Sequence, residues 1–141
     1  MRFRQSIFLY LIVPVLVSIL VSGCVRKKKK VNRLQKFNSE LWIRDKGGCN
    51  GDRSHLKNHF LSLKHNMRGL KTDEVEDLLG MPDAQELYER GQRYHIYFID
   101  PGPKCPSPKE NPQALFVRFT AVGIANEFTI RPLQPRSPHG S

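Results

Sequence analysis

Apolar and polar positions follow one period in the first half of the chain and another in the second. Leu56, Phe60, Leu63 and Met67 recur at the i, i+4, i+7, i+11 spacing that places side chains on one helical face. A helix is therefore predicted from about Arg53 to Met67, with Asp52 as its N-cap. A shorter helix is predicted behind Thr72 as N-cap. Asp73 and Glu74 sit at the positive end of its dipole, Val75, Leu78 and Leu79 form its apolar stripe, and Gly80 and Pro82 stop it. Beyond Pro82 the period shortens to two. Residues 93 to 99 (RYHIYFI), 114 to 120 (ALFVRFT) and 124 to 130 (IANEFTI) are rich in aromatic and β-branched side chains and read as strands, with Gln85 to Tyr88 as an edge strand. Ala121-Val122-Gly123 turns the last two into a hairpin. Leu115, Val117 and Phe119 alternate with Phe116, Arg118 and Thr120, which predicts one buried and one open sheet face. The expected fold class is α+β, a two-layer sandwich of two N-terminal helices packed on a three- to four-stranded antiparallel sheet.

Ahead of this domain the pattern is different. An uncharged run begins at Gln5 behind Arg2 and Arg4 and ends in Val21-Ser22-Gly23-Cys24. A basic start and an apolar middle read as an export signal, and a small residue before a cysteine resembles the lipobox of bacterial lipoproteins. The expectation is cleavage before Cys24 and lipidation of its thiol, which makes residues 1–23 a signal peptide. Residues 24–40 become a lipidated basic tether, 41–130 the domain, opening at the apolar cluster Leu41-Trp42-Ile43, and 131–141 a disordered proline-containing tail. The alternative is an uncleaved single-span anchor with a cytosolic basic domain. Residues 5 to 23 are long enough to cross a bilayer core of ~30 Å, and the positive-inside tendency favours keeping the basic cluster that follows in the cytoplasm. Pro14 and the small residues Ser22 and Gly23 favour cleavage.

Charge sharpens this picture. The formal net charge is +10, but seven basic side chains and no acidic one fall in residues 26 to 36, whereas 14 basic face 13 acidic side chains from Phe37 onward. The block led by Arg26, Lys27, Lys28, Lys29 and Lys30 is thus a membrane-surface contact beside the anchor, where each cation near anionic lipid is worth roughly 1 kcal/mol. A nucleic-acid partner is not expected. Of three cysteines, lipidation of Cys24 leaves Cys49 and Cys105, and an even pair in an exported domain suggests a disulfide. Two free thiols become the expectation if the domain is cytosolic.

The segment 70–83 (LKTDEVEDLLGMPD) is similar to the G-x-[ST]-x-x-E-V-x-x-L-L-G-x-P stretch of the SmpA/OmlA, or BamE-like, family of small outer-membrane lipoproteins. Residues 115 to 119 (LFVRF) followed by Gly123 are similar to that family's closing hairpin. The resemblance covers roughly residues 52 to 130. It implies a two-layer α/β sandwich, an outer-membrane location facing the periplasm, and a non-catalytic accessory part in outer-membrane assembly or maintenance. The family's Tyr-Val-rich N-terminal contact segment has no counterpart after Cys24, and Gly69 is displaced from the threonine by Leu70-Lys71. Neither partner identity nor binding residues are carried over from the family.

Candidate chemistry is sparse. His55 and His59 lie four apart, and with Cys49 and Cys105 they allow a Cys/His metal site to be drawn. Arg53, Lys57 and Asn58 share what reads as the exposed side, so solvent-facing histidines and no metal are expected. Asp73, Glu74, Glu76 and Asp77 are accounted for by the helix dipole and by solvation. No catalytic residues and no cofactor are assigned, and the chain reads as a non-enzymatic binding or scaffolding lipoprotein of the cell envelope. Its partners are a membrane, through the N-terminal lipid, and an unidentified envelope protein. Tyr94, Tyr97, Phe98 and Phe116 are the aromatics that could face such a partner on the open sheet face, with Tyr97 and Phe116 as the leading pair.

Overall fold

The computed structural model describes residues 37–133; Cys24, the basic block 26–30, the two possible anchors and most of the expected tail lie outside them. Three helices, α1 (Ser39–Arg44), α2 (Asp52–Leu63) and α3 (Thr72–Leu79), precede four strands, β1 (Ala84–Leu87), β2 (Arg93–Phe98), β3 (Gln113–Phe119) and β4 (Ala125–Pro132). The strands form one antiparallel meander in the order β1-β2-β3-β4. The fold is α+β, with the helices N-terminal to the sheet, as the change of period predicts.

The helical layer covers one sheet face. Phe60 and Met67 are buried, with Leu56 and Leu63 packed beside them, and Val75, Leu78 and Leu79 of α3 join the same core. The sheet side supplies Tyr97, Ile99, Leu115, Val117 and Phe119, which alternate, and Phe128 and Ala125 of β4, three residues apart because a bulge at Arg118/Phe119 sets Ala125 opposite Phe119. Register explains the set: Tyr97 lies opposite Leu115 and Val117 opposite Phe128, so each pair projects to the same side.

Several boundaries differ from expectation for local reasons. The cluster 41–43 is part of α1, capped by the Asn38 side chain, which accepts from the Leu41 N–H at 3.0 Å. Its Trp42 is fully buried against Phe60 at a centroid distance of 5.5 Å. Helix α2 starts one residue early, behind Gly51 at φ 80°, because the Asp52 side chain turns to Arg44 instead of capping. A 3₁₀ turn, Lys64–Met67, then carries Met67 into the core. Helix α3 is capped at Lys71, whose N–H donates to the Glu74 carboxylate at 2.8 Å, while Thr72 Oγ1 donates to Gly123 O. Residues 131 and 132 belong to β4, where Pro132 pairs with Gln113, and the Leu133 N–H bonds Pro112 O at 2.9 Å.

The second sheet face is not open. Ile96, Phe98, Ala114 and Phe116 form a smaller buried cluster with Tyr94 and Leu133 beside it, and the Arg131 guanidinium lies 3.7 Å from the Phe116 ring centroid. The two sheet edges also differ. At β4, Gly69 N–H donates to Ala125 O and Ala125 N–H to Leu70 O, each at 2.8 Å, so the segment before α3 closes the start of that edge. No described segment pairs with the outer side of β1.

His95 sits in the core layer with its ring centroid 4.6 Å from that of Phe119, and its Nδ1 has no hydrogen-bond partner among the described residues. Burial, and then the charge of Arg93, push its pKa down from 6.5 to about 4. The ring is therefore neutral at pH 7, and the Glu76 carboxylate 3.7 Å away is a polar neighbour and not an ion-pair partner there. A folded-state pKa below the unfolded one means the unfolded chain binds the extra proton, so stability falls as pH drops from about 6.5 toward 4. We expect His95 to account for about 2–3 kcal/mol of the stability lost between pH 7 and 4.5. Denaturant midpoints of His95→Leu should show a correspondingly flatter acid limb; an unchanged limb would remove His95 as its source.

Candidate functional site: a disulfide-tied corner with an apolar pocket

At one end of the sheet the turn after α1 and the loop after β2 approach each other closely, and two glycines make the approach possible. Gly48 has φ 72°, and a Cβ there would stand 2.6 Å from Asp100 O. A Cβ on Gly102 would stand 2.7 Å from the Phe98 ring. The Gly102 N–H donates to Gly47 O at 2.9 Å, joining the turn after α1 to the loop between β2 and β3. Beside that bond Cys49 and Cys105 form a disulfide with a Cα–Cα distance of 5.4 Å across 56 residues of chain. The long loop is held again at its other end. Lys109 Nζ lies 2.8 Å from Asp100 Oδ2, which also accepts from the Gln113 N–H at 3.0 Å. Burial works to raise the Asp100 pKa, but these two hydrogen bonds and the charges of Lys109 and Lys57 outweigh it and hold the carboxyl below the usual range.

Underneath lies a buried polar node. Arg53, 1% exposed, bonds Trp42 O through Nε and Phe98 O through Nη1, both at 3.0 Å, and pairs with the Asp83 carboxylate. Asp83 also accepts from the Gly47 N–H at 3.0 Å and the Phe98 N–H at 2.8 Å. Asp45, fully buried, accepts from the N–H groups of Asn50 (2.7 Å) and Arg53 (2.9 Å), fixing the start of α2. The guanidinium also lies 5.3 Å from the Trp42 ring centroid and 5.9 Å from that of Tyr97. Arg53 is thus the opposite of the exposed residue read from the sequence: its neighbours His55, Lys57 and Asn58 point elsewhere on α2, while Arg53 turns inward to partners 30 and 45 residues away.

Between this node and the disulfide is a pocket of about 480 Å³, bounded by the turn at 46–49, Asp83 and Ala84, Phe98, and the loop at 102–104. That volume falls in the ~300–1,000 Å³ range of small-ligand sites. Its wall is mainly apolar, and Lys46 and Lys104 stand exposed at it. The one carboxylate on the wall, Asp83, is already neutralised by Arg53.

The leading aromatic pair is corrected. Tyr97 and Phe116 are both buried, and they lie on opposite faces of the sheet: Tyr97 in the core under the helices, Phe116 in the outer cluster. Period-two alternation puts them on opposite sides, because Tyr97 pairs with Leu115 and Phe116 follows one residue later. Tyr97 Oη donates to Gly80 O at 3.0 Å, and burial, reinforced by Glu76, raises its pKa. Of the other two aromatics, Phe98 lines the pocket and Tyr94 stacks edge-on between Tyr88 and Phe116. His55 is exposed and His59 rests against the Phe37 ring; no group of three metal-ligand side chains gathers among the described residues. No family model, curated protein or solved structure matches the chain.

Two substitutions test this construction. Arg53→Met leaves Asp83 buried and unpaired, and should destabilise the domain by about 3–5 kcal/mol in denaturant melts, with Arg53→Lys recovering only part because one ammonium cannot span three acceptors. Replacing both Cys49 and Cys105 by serine should cost about 4 kcal/mol in the chain-entropy model for a loop of this length. A midpoint shift near zero in either case would show that the corner contributes no stability.

Proposed function

We propose that the chain is a lipid-anchored, non-enzymatic binding and scaffolding protein of the cell envelope, an accessory to outer-membrane assembly or maintenance. The observation that carries this reading is the Cys49–Cys105 bond. Disulfides persist in oxidising compartments, and pairing two of three cysteines leaves Cys24 as the remaining thiol, behind a lipobox-like sequence and ahead of a run of five basic side chains. A lipid chain and a polybasic patch together give the stable anchoring that one acyl group does not.

Helices followed by an antiparallel meander agree with what the resemblance to small BamE-like lipoproteins implies, and support placing the chain beside them on the periplasmic face of the outer membrane. The binding part of the reading is supported by the pocket, and its non-enzymatic part by the chemistry around it. Arg53 and Asp83 are bonded to one another and to backbone groups, and Asp45 to the backbone N–H groups of Asn50 and Arg53, an arrangement that suits a rigid platform better than proton transfer.

Intact mass of the full chain, expressed with its own N-terminus in a lipoprotein-processing bacterium, tests the anchor. We expect loss of residues 1–23, an added acyl mass on Cys24, and a gain of two hydrogens on reduction. An unprocessed chain with free thiols would overturn the reading in favour of a single-span protein with a cytosolic domain.

A further inference from the structure

The open edge of the sheet and the apolar pocket meet at the first residue of β1. The Tyr88 N–H donates to Gln92 O at 2.8 Å, and the register pairs Ala84 with Ile96 and Glu86 with Tyr94. Antiparallel ladders alternate, so the backbone groups of Ala84, Glu86 and Tyr88 turn toward β2, and those of Gln85 and Leu87 turn away from the sheet. Among the described residues nothing bonds that outer side. Leu87 is 90% exposed, and Met81, just before the strand, 63%. At the Ala84 end lies the pocket by Phe98, with Lys46 and Lys104 exposed on its wall.

We propose that β1 accepts an extended peptide that ends in an apolar residue with a free carboxylate. The peptide adds as a fifth, antiparallel strand, its last side chain enters the pocket, and its carboxylate faces Lys46 and Lys104. Direction and charge agree. A strand antiparallel to β1 arrives at Ala84 with its C-terminus, whereas a parallel one would bring its ammonium end to the same two lysines or leave the pocket empty. The neutralisation of Asp83 by Arg53 leaves the local field positive, which suits a carboxylate. The chain's own flanking segments are poor occupants: residues 134–141 carry Arg136 and His139 and no large apolar side chain, and residues 26–36 are strongly basic. Strand direction and the charge at the pocket commit the occupant to the C-terminal segment of another protein, which names the partner class for the binding role proposed above and rests on that role.

The test is a fluorescence-anisotropy titration of the full chain, disulfide intact and reconstituted in phosphatidylcholine nanodiscs. The probe is a short labelled peptide of alternating threonine and valine ending in a free C-terminal phenylalanine. Amidating that carboxylate should weaken binding about tenfold, and Lys46→Glu with Lys104→Glu should do the same to the free peptide but not to the amidated one. Ala84→Trp, on an exposed position at the pocket wall, should abolish the preference for a terminal phenylalanine. Gln85→Pro removes one outward N–H without touching the β1–β2 ladder, and should weaken both peptides equally. Equal binding of free and amidated peptide, or no effect of Ala84→Trp in a variant with an unchanged thermal midpoint, overturns the proposal. Self-association that Gln85→Pro abolishes would overturn it too, assigning the edge to a second copy of the chain. The mass measurement on the exported protein is independent of this titration, so failure of the peptide site and failure of the anchor are separately visible.

Discussion

Arg53 is the point at which the helical layer and two strands of the sheet are tied together. Its guanidinium bonds the last full turn of α1 through Trp42 O, the end of β2 through Phe98 O, and the start of β1 through Asp83. Burying two charges removes hydration worth several kcal/mol per ion, so the pair itself is weak as a net source of stability. Its value lies in position. Asp83 accepts from three donors in fixed directions, which holds the start of β1 against both the turn at Gly47 and the backbone of Phe98. Apolar side chains of similar volume would hold the layers together with less control over where they meet.

The disulfide and the glycines follow from that arrangement. Once β1, β2 and the turn after α1 converge on Asp83, the loop between β2 and β3 can approach them closely only where side chains are absent, at Gly48 and Gly102. The Cys49–Cys105 bond then fixes an approach that already exists and shortens the entropy of a long connection. Close backbone approaches pack less completely than interdigitated side chains, and the gap they leave beside Phe98 is the pocket. Pocket and disulfide are thus two results of one topological constraint.

The repetitive parts of the fold were legible in the sequence, and its singular parts were not. Helix α3 and strands β2 to β4 announce themselves because their neighbours in space repeat every few residues. Leu115, Val117 and Phe119 alternate whatever lies opposite them. Arg53 could not be read, since a cation in the first turn of a polar helix has the same local sequence whether it meets water or Asp83, 30 residues on. Asp83 stands only as the last residue of the 70–83 segment in the sequence, with nothing there to mark its partners Arg53, Gly47 and Phe98. Tyr97 and Phe116 illustrate a second kind of loss: alternation within a strand shows which residues share a side, but only the pairing of Tyr97 with Leu115 shows that the two aromatics do not. The cysteine pair was legible because, with Cys24 set apart by the lipobox-like sequence, Cys49 and Cys105 were the two cysteines left to pair. The pocket beside it was not, because it is bounded by segments far apart in sequence.

The distribution of unsatisfied groups explains why the edge, and not a face, of this sheet is left to interact. One face is filled by the helices, and the other is closed by the edge-on stack of Tyr88, Tyr94 and Phe116 with Arg131 over the last ring. Of the two edges, β4 is occupied at its start by the segment leading into α3 and ends in Pro132, which has no N–H to offer. Strand β1 has neither protection. It is four residues long, too short to recruit a long strand and form an extended aggregate, yet it leads directly to the apolar gap beside the closely approaching loops. A short edge alone would bind any extended chain weakly and without preference. An edge that ends at a pocket with two exposed lysines can distinguish one end of a peptide from the other, because the last residue of an antiparallel strand places its main-chain carboxylate there.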